Sequence, residues 1–186
     1  MDGVVLLDKP AGLSSNQALQ RVKRLLAASL AHRQVQHLAY NDTLTGLPNR
    51  LLFAERLEGI LSRARQGRGR FVAVALLDID RFQIVNDTLG HDIGDVLIKT
   101  AAERINRCVR PDDLVARMGG DEFAIAFENA RSREVVEEVA SNILSSIAQP
   151  FAFLGKEMYV SASIGIALHP EDGGDVHTLM RHADTA

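Results

Sequence analysis

The order of elements in this sequence predicts an α+β domain with an antiparallel-rich central sheet flanked by helices. Residues 71–77, FVAVALL, are a β-rich apolar run with the length of a fully buried strand. Two later stretches, 114–127 and 151–168, each read as strand pairs turned at glycine. Three intervening or preceding stretches repeat apolar residues at helical spacing. Runs of helices and hairpins in this order argue against a doubly wound parallel fold.

The first 28 residues read as a short strand, VVLLD, a KPAG turn, and a helix NQALQRVKRLLAAS capped by Ser14 or Ser15. Leu30, Val35 and Leu38 then place a short linker helix over 29–41. TGLPN forms a turn, after which Phe53, Leu57, Ile60, Leu61 and Ala64 share one face of an amphipathic helix. The basic stretch RARQGRGR ends it and reads as a solvated loop, since no aromatics are interleaved with its charges. Beyond the buried strand, a helix is expected around 81–88. A longer one at 93–109 carries Ile98, Ala101, Ala102, Ile105 and Val109 on one face. Leu114 to Met118 and Glu122 to Phe127 form a hairpin across Gly119-Gly120-Asp121. Val136, Val139, Ala140, Ile143 and Ile147 mark the next helix. A strand pair turning at Gly155 follows, with Val160, Ala162, Ile164, Ile166 and Leu168 alternating toward the core. This order fits a ferredoxin-like or nucleotide-cyclase palm.

Composition narrows the function. The chain has 186 residues, 46% of them hydrophobic, enough for one sizeable core. Its net charge of −3 argues against a general nucleic-acid coat and against a nucleic-acid polymer as partner. The charge is uneven: residues 1–28 carry +2 and the remainder −5. Cys108 is the only cysteine, which excludes an internal disulfide and fits a reducing compartment. No apolar run approaches a membrane span, and MDGVVLLDK lacks the basic region of a signal peptide, so a cytoplasmic location is expected.

Two acidic loci stand at strand ends. Asp78 and Asp80 share a side by period-two alternation, and Asp121-Glu122 lies at the glycine hairpin. Carboxylates brought together repel, and a cluster of this kind suits a divalent cation; oxygen ligands with water select Mg²⁺ or Mn²⁺ and favour phosphate substrates. An isolated Asp can equally serve as a turn or cap residue, but the glycines beside the second pair also let backbone N–H groups approach phosphate oxygens.

GGDEF at 119–123 is accompanied, in order, by DTLTGLPNR at 42–50, DIDRFQIVNDTLGHDIGD at 78–95, RPDDLVARMGGDEF at 110–123, and VSASIGIALHPEDG near the end. From about residue 39 onward the chain thereby resembles the GGDEF-domain diguanylate cyclase family. The resemblance implies condensation of two GTP into cyclic di-GMP with release of pyrophosphate. It makes Asp78 and Asp121 metal ligands, with the Ile79 carbonyl and Glu122 helping, and makes Asp121 the group that assists proton removal, with Glu122 beside it. Asn86 and Asp95 match residues that read the guanine edge; His91, Phe82, Gly119 and Gly120 belong to the same substrate site. Arg110 and Asp113, an RxxD with five residues between Asp113 and Gly119, match the family's inhibitory product site. Arg117 is also at a family position and is expected to pair with Asp42. Because each domain holds one GTP, a homodimer is part of the implied mechanism.

The sequence departs from that pattern in two places. Gln83 stands where the family usually has a lysine credited with stabilising transition-state charge. After LMRHADTA the family continues with a pattern like LYxAKxxGRN, whose lysine and arginine hold the GTP phosphates, whereas this sequence ends at Ala186. The expected layout is therefore a leader over 1–28, a linker helix over 29–41, and a domain over 42–186 lacking its C-terminal end. A weakly active module that binds GTP or cyclic di-GMP is the alternative expectation. The run LLDKPAGLSSNQALQRVKRLL in the leader resembles the start of the tRNA pseudouridine synthase B family. No segment here matches that family's catalytic HTGTLDP, so a fused leader fits better than RNA modification.

Overall fold

The computed structural model describes residues 15–67, 71–130, 132–153 and 155–186. The chain divides into two compact units, residues 1–39 and 40–186. In the first, a single helix, α1 (Ser15–Tyr40), occupies both the helix expected from residue 16 and the linker helix expected over 29–41. It exposes Leu19, Leu25, Leu26 and Leu38. The strand VVLLD, the KPAG turn and the tip of the basic loop at 68–70 lie outside the described residues. No described helix is long and apolar enough to cross a membrane.

The second unit has the expected α+β architecture. Four strands, β1 (Phe71–Ile79), β2 (Leu114–Gly119), β3 (Glu122–Ala130) and β6 (Ala162–His169), pair antiparallel in the order β2-β3-β1-β6. The short strands β4 (Phe151–Phe153) and β5 (Lys156–Met158) form a separate hairpin. The helices are α2 (Arg50–Gln66), α3 (Phe82–Leu89), α4 (His91–Cys108), α5 (Arg133–Ile147) and α6 (Val176–Thr185).

Both faces of the sheet are covered, which explains why FVAVALL shows no alternation of polarity. Ala73, Ala75, Leu77 and Ile79 of β1 join the layer made with Leu97, Ile98, Ala101 and Ile105 of α4 and Ile143 and Ile147 of α5. Val72 and Val74 face the opposite layer, with Phe53, Leu57 and Leu61 of α2 and Leu179 and Ala183 of α6. The expected alternation of Ala162, Ile164, Ile166 and Leu168 toward the core holds: all four pack into the α4/α5 layer, as does Val160 just ahead of the strand.

Two polar devices seat the helices. Arg63 of α2 grips Glu128 of β3 with two parallel hydrogen bonds, Nε to Oε1 at 3.0 Å and Nη2 to Oε2 at 2.9 Å. Arg104 of α4 donates to the carbonyls of Ser146, Ile147, Gln149 and Pro150, satisfying the open C-terminal end of α5, and lies 3.8 Å over the Phe151 ring.

α6 sits on the sheet where Gly165 leaves room. A Cβ at this position would run into the backbone carbonyl oxygen of Ala183, which has no rotamer to escape into. Gly165→Ala is therefore expected to destabilise the domain by about 1–3 kcal/mol through overpacking, read as a lowered urea midpoint with an unchanged m-value.

Candidate functional site

The end of β1 collects the acidic groups. In the β1–β3 ladder Asp78 stands opposite Glu122, and in the β1–β6 ladder opposite Ser163. Asp121 occupies the turn between β2 and β3, half-buried, and Gly119 and Gly120 take φ of 135° and 53°, values that a side chain makes costly. Partial burial, then the charges of Asp121, Glu122 and Asp80, push the Asp78 carboxyl above its usual range. The charges of Asp121 and Glu122 thus both act on Asp78. Among the described residues, the one counter-charge paired to the group is Arg50 at the start of α2, 3.7 Å from Glu122 and largely exposed. Ile79 is buried, and its side chain belongs to the core.

Asp80 behaves differently from the expectation of a carboxylate pair sharing one side. β1 ends at Ile79, and Asp80 lies in the following turn with both oxygens committed, accepting from the hydroxyls of Ser161 and, at 2.8 Å, Ser163.

Among the described residues no three His, Cys, Asp or Glu side chains form a ready-made metal cage. The donor set still suits a hard cation: clustered carboxylate oxygens, with Asp78 raised in pKa by partial burial and then by its acidic neighbours. Mg²⁺ is commonly held by one or two carboxylates together with substrate phosphates and water rather than by an all-protein cage.

Two cavities open on this cluster. One, of about 840 Å³, lies on the α2/α6 side and is lined by Arg50, Asp78, Glu122, His177 and Arg181 over an apolar floor that includes Met118 and Met180. The other, of about 980 Å³, is lined by Asp78, Asp80, Arg81, Ile84, Tyr159 and Ser161. Arg81, at the head of α3, holds a left-handed backbone, φ 59° and ψ 25°, which costs a non-glycine residue about 1 kcal/mol.

The α3–α4 corner brings a second group together. Gly90, at φ 90°, turns the chain between the helices. The missing side chain of Gly94 lets α4 approach α3 so closely that a Cβ there would strike Asn86 Oδ1 and come within 3.2 Å of the Phe82 ring. Asn86 Oδ1 is buried with no hydrogen-bond partner, the mark of an acceptor awaiting a donor. Asp95 and His91 are exposed on the first two turns of α4. Gln83 points its amide at Asp87, one turn along the same helix, at 2.8 Å.

Arg110 and Asp113 are joined through the backbone: the Arg110 N–H donates to Asp113 Oδ2 at 2.9 Å. Burial raises the Asp113 carboxyl, opposed by that bond and the Arg110 charge. The Arg110 residue is exposed.

Arg117 makes the expected pairing with Asp42 and a further one. Arg117 Nη1 lies 3.1 Å from both Asp42 oxygens, while Nε and Nη2 donate to the Gly120 carbonyl at 3.0 and 2.6 Å. Asp42 also accepts from the backbone and hydroxyl of Thr45. The DTLTGLPNR motif thus braces the glycine hairpin from behind. Gly94, Arg50 and the two serines were missed. A glycine within a strongly periodic helix was the available signal for Gly94, since it costs the helix about 1 kcal/mol against alanine.

The family model for the GGDEF domain of diguanylate cyclases matches residues 39–186. Over 164 residues the chain is 45% identical to the bifunctional diguanylate cyclase/cyclic di-GMP phosphodiesterase MucR of Pseudomonas aeruginosa, covering 87% of this chain and 24% of that protein. Among solved structures, the GGDEF domain of TpbB from the same species has a TM-score of 0.75 at 41% identity, covering 77% of this chain and 84% of that one. The coiled coil and GGDEF domain of DgcB from Caulobacter crescentus, in complex with c-di-GMP, has a TM-score of 0.79 at 30% identity, covering 93% and 92%. A coverage of 93% reaches ahead of residue 39 into α1. The likeness of residues 1–28 to tRNA pseudouridine synthases finds no support in these comparisons. The chain spans about a quarter of the length of MucR.

Burial raises the Asp42 carboxyl, but the bonds from Thr45 and Arg117 outweigh it and hold its pKa below the ordinary 3.8. Its stabilising effect is therefore complete above pH 3.8 and is lost as pH falls through the lowered value. Asp42→Asn is expected to cost about 1–3 kcal/mol at pH 7, and urea titrations between pH 5 and 2 should show a flatter acid limb than in the wild type.

Proposed function

Because the chain belongs to the GGDEF diguanylate cyclase family, we propose that residues 39–186 bind GTP and condense two molecules into cyclic di-GMP, releasing two pyrophosphates. The observation that carries this reading is the carboxylate cluster at the end of β1: Asp78 opposite Glu122, beside Asp121 and the Gly119-Gly120 turn. Guanine would be read by Asn86 and Asp95, with His91 and Phe82 alongside. The unpartnered Asn86 Oδ1 supports this, since the N–H groups of the base would supply the donor it lacks. Mg²⁺ or Mn²⁺, held by Asp78, Asp121 and the Ile79 carbonyl with Glu122 beside them, would lower the pKa of the attacking hydroxyl and neutralise phosphate charge.

In the reaction a 3′-hydroxyl oxygen attacks the α-phosphorus of the other GTP, and the bond to pyrophosphate breaks in line. Asp121 takes the hydroxyl proton. Backbone N–H groups at Gly119 and Gly120 approach the phosphate oxygens, which side chains at these positions would obstruct. Since each domain holds one nucleotide, two copies must face each other, and the active species is a homodimer.

A second reading is favoured by Gln83. Its amide is spent on Asp87 and carries no charge toward a phosphate, which suits a weakly active module that binds GTP or cyclic di-GMP, the latter at Arg110 and Asp113. Turnover of GTP with Mg²⁺ separates the two. The cyclase reading expects cyclic di-GMP above an Asp121→Ala control, and a rise of roughly tenfold or more in Gln83→Lys from the restored charge-assisted contact. No product above the control would exclude catalysis by this chain. Calorimetric titration with cyclic di-GMP is expected to show binding by the wild type and a loss of at least about tenfold in Arg110→Ala. Equal binding by both proteins would remove the product site.

A further inference from the structure

We propose that Arg81 binds the phosphate chain of the substrate from the α3 side, supplying the positive charge that Gln83 lacks; this rests on the reading of the site as a GTP site. Arg81 lines the same cavity as Asp78 and Asp80, between the carboxylate cluster and α3. Among the described residues no hydrogen bond or ion pair engages its guanidinium, although two acids line that cavity with it. Asp80 has both oxygens satisfied by Ser161 and Ser163 and makes no demand on it. Asp78, the other acid lining that cavity, forms no ion pair with it among the described residues. Gln83 is directed along α3 to Asp87 and is not among the residues lining this cavity.

A triphosphate approaching Asp78, Asp121 and Glu122 meets carboxylates of its own sign. A cation facing that approach offsets the repulsion, and a guanidinium presents a planar fork of donors that matches phosphate oxygens. The left-handed backbone at Arg81 is the second observation. A strained conformation at a non-glycine residue persists where the surrounding structure over-determines it, and such positions cluster at ligand clamps. Asn86 would hold the base on α3 while Arg81 holds the phosphates at the start of the same helix.

The test titrates the 186-residue chain with GTP in the presence of Mg²⁺ and, separately, with guanosine, using wild type, Arg81→Lys, Arg81→Gly and Arg81→Gly/Gln83→Lys. Glycine removes the charge while tolerating the left-handed backbone, so thermal stability should stay level or rise. GTP affinity is expected to fall about tenfold to a hundredfold in Arg81→Gly with guanosine affinity unchanged. It should be largely kept in Arg81→Lys and recovered in the double variant. Unchanged GTP affinity in Arg81→Gly overturns the proposal, as does an equal loss for both ligands, which would mark a structural role. Wild-type protein that fails to bind GTP overturns it together with the reading of the site on which it rests.

Discussion

β1 is hydrogen-bonded to β3 along one edge and to β6 along the other, and the two registers together decide where every acidic group of the site stands. Because side chains alternate at each residue, a slip of one position in either ladder would carry Asp78 toward the α4/α5 core and expose the apolar set in its place. The buried faces make such a slip prohibitive: Val74 and Ala75 are both fully enclosed, on opposite sides of the sheet. The hydrophobic effect therefore fixes the placement of charge. Asp78 and Glu122 meet because the residues preceding one and following the other have no alternative partners.

Held this way, the carboxylates stand together, and partial burial followed by the charges of Asp121, Glu122 and Asp80 raises the Asp78 pKa. The hairpin that delivers Asp121 is braced separately. Arg117 ties the Gly120 carbonyl to Asp42, and Asp42 is tied in turn to Thr45 within its own turn. Two glycines at positive φ would by themselves make a loose tip. A side chain with 12% of its surface exposed, bonded at both ends, turns that tip into a fixed wall of the cleft.

Most of the second unit was legible from period alone. The buried run at 71–77, the glycine hairpin and the amphipathic helices are local patterns, and they survive in the structure with shifts of a few residues at their ends. What escaped was relational. Nothing in the spacing of Asp78 and Asp80 says that the strand stops between them, or that two serines some 80 positions later claim the second carboxylate. The contact between Gly94 and Asn86 likewise depends on how two helices close at Gly90, a tertiary fact. The leader helix and the linker helix expected at the N-terminus are one continuous helix, α1, because backbone hydrogen bonding runs on through the boundary expected near residue 29.

Arg104 has a mechanical consequence. Gly94 and Arg104 are ten residues apart on α4, about 15 Å along a helix axis. The first abuts Asn86; the second is bolted to four carbonyls at the close of α5 and stacked on Phe151. α4 therefore works as a rigid beam anchored at its far end, and any ligand that pries at its near end must bend the beam or shear that anchorage. The α3–α4 corner can be stiff without a bond of its own to hold it.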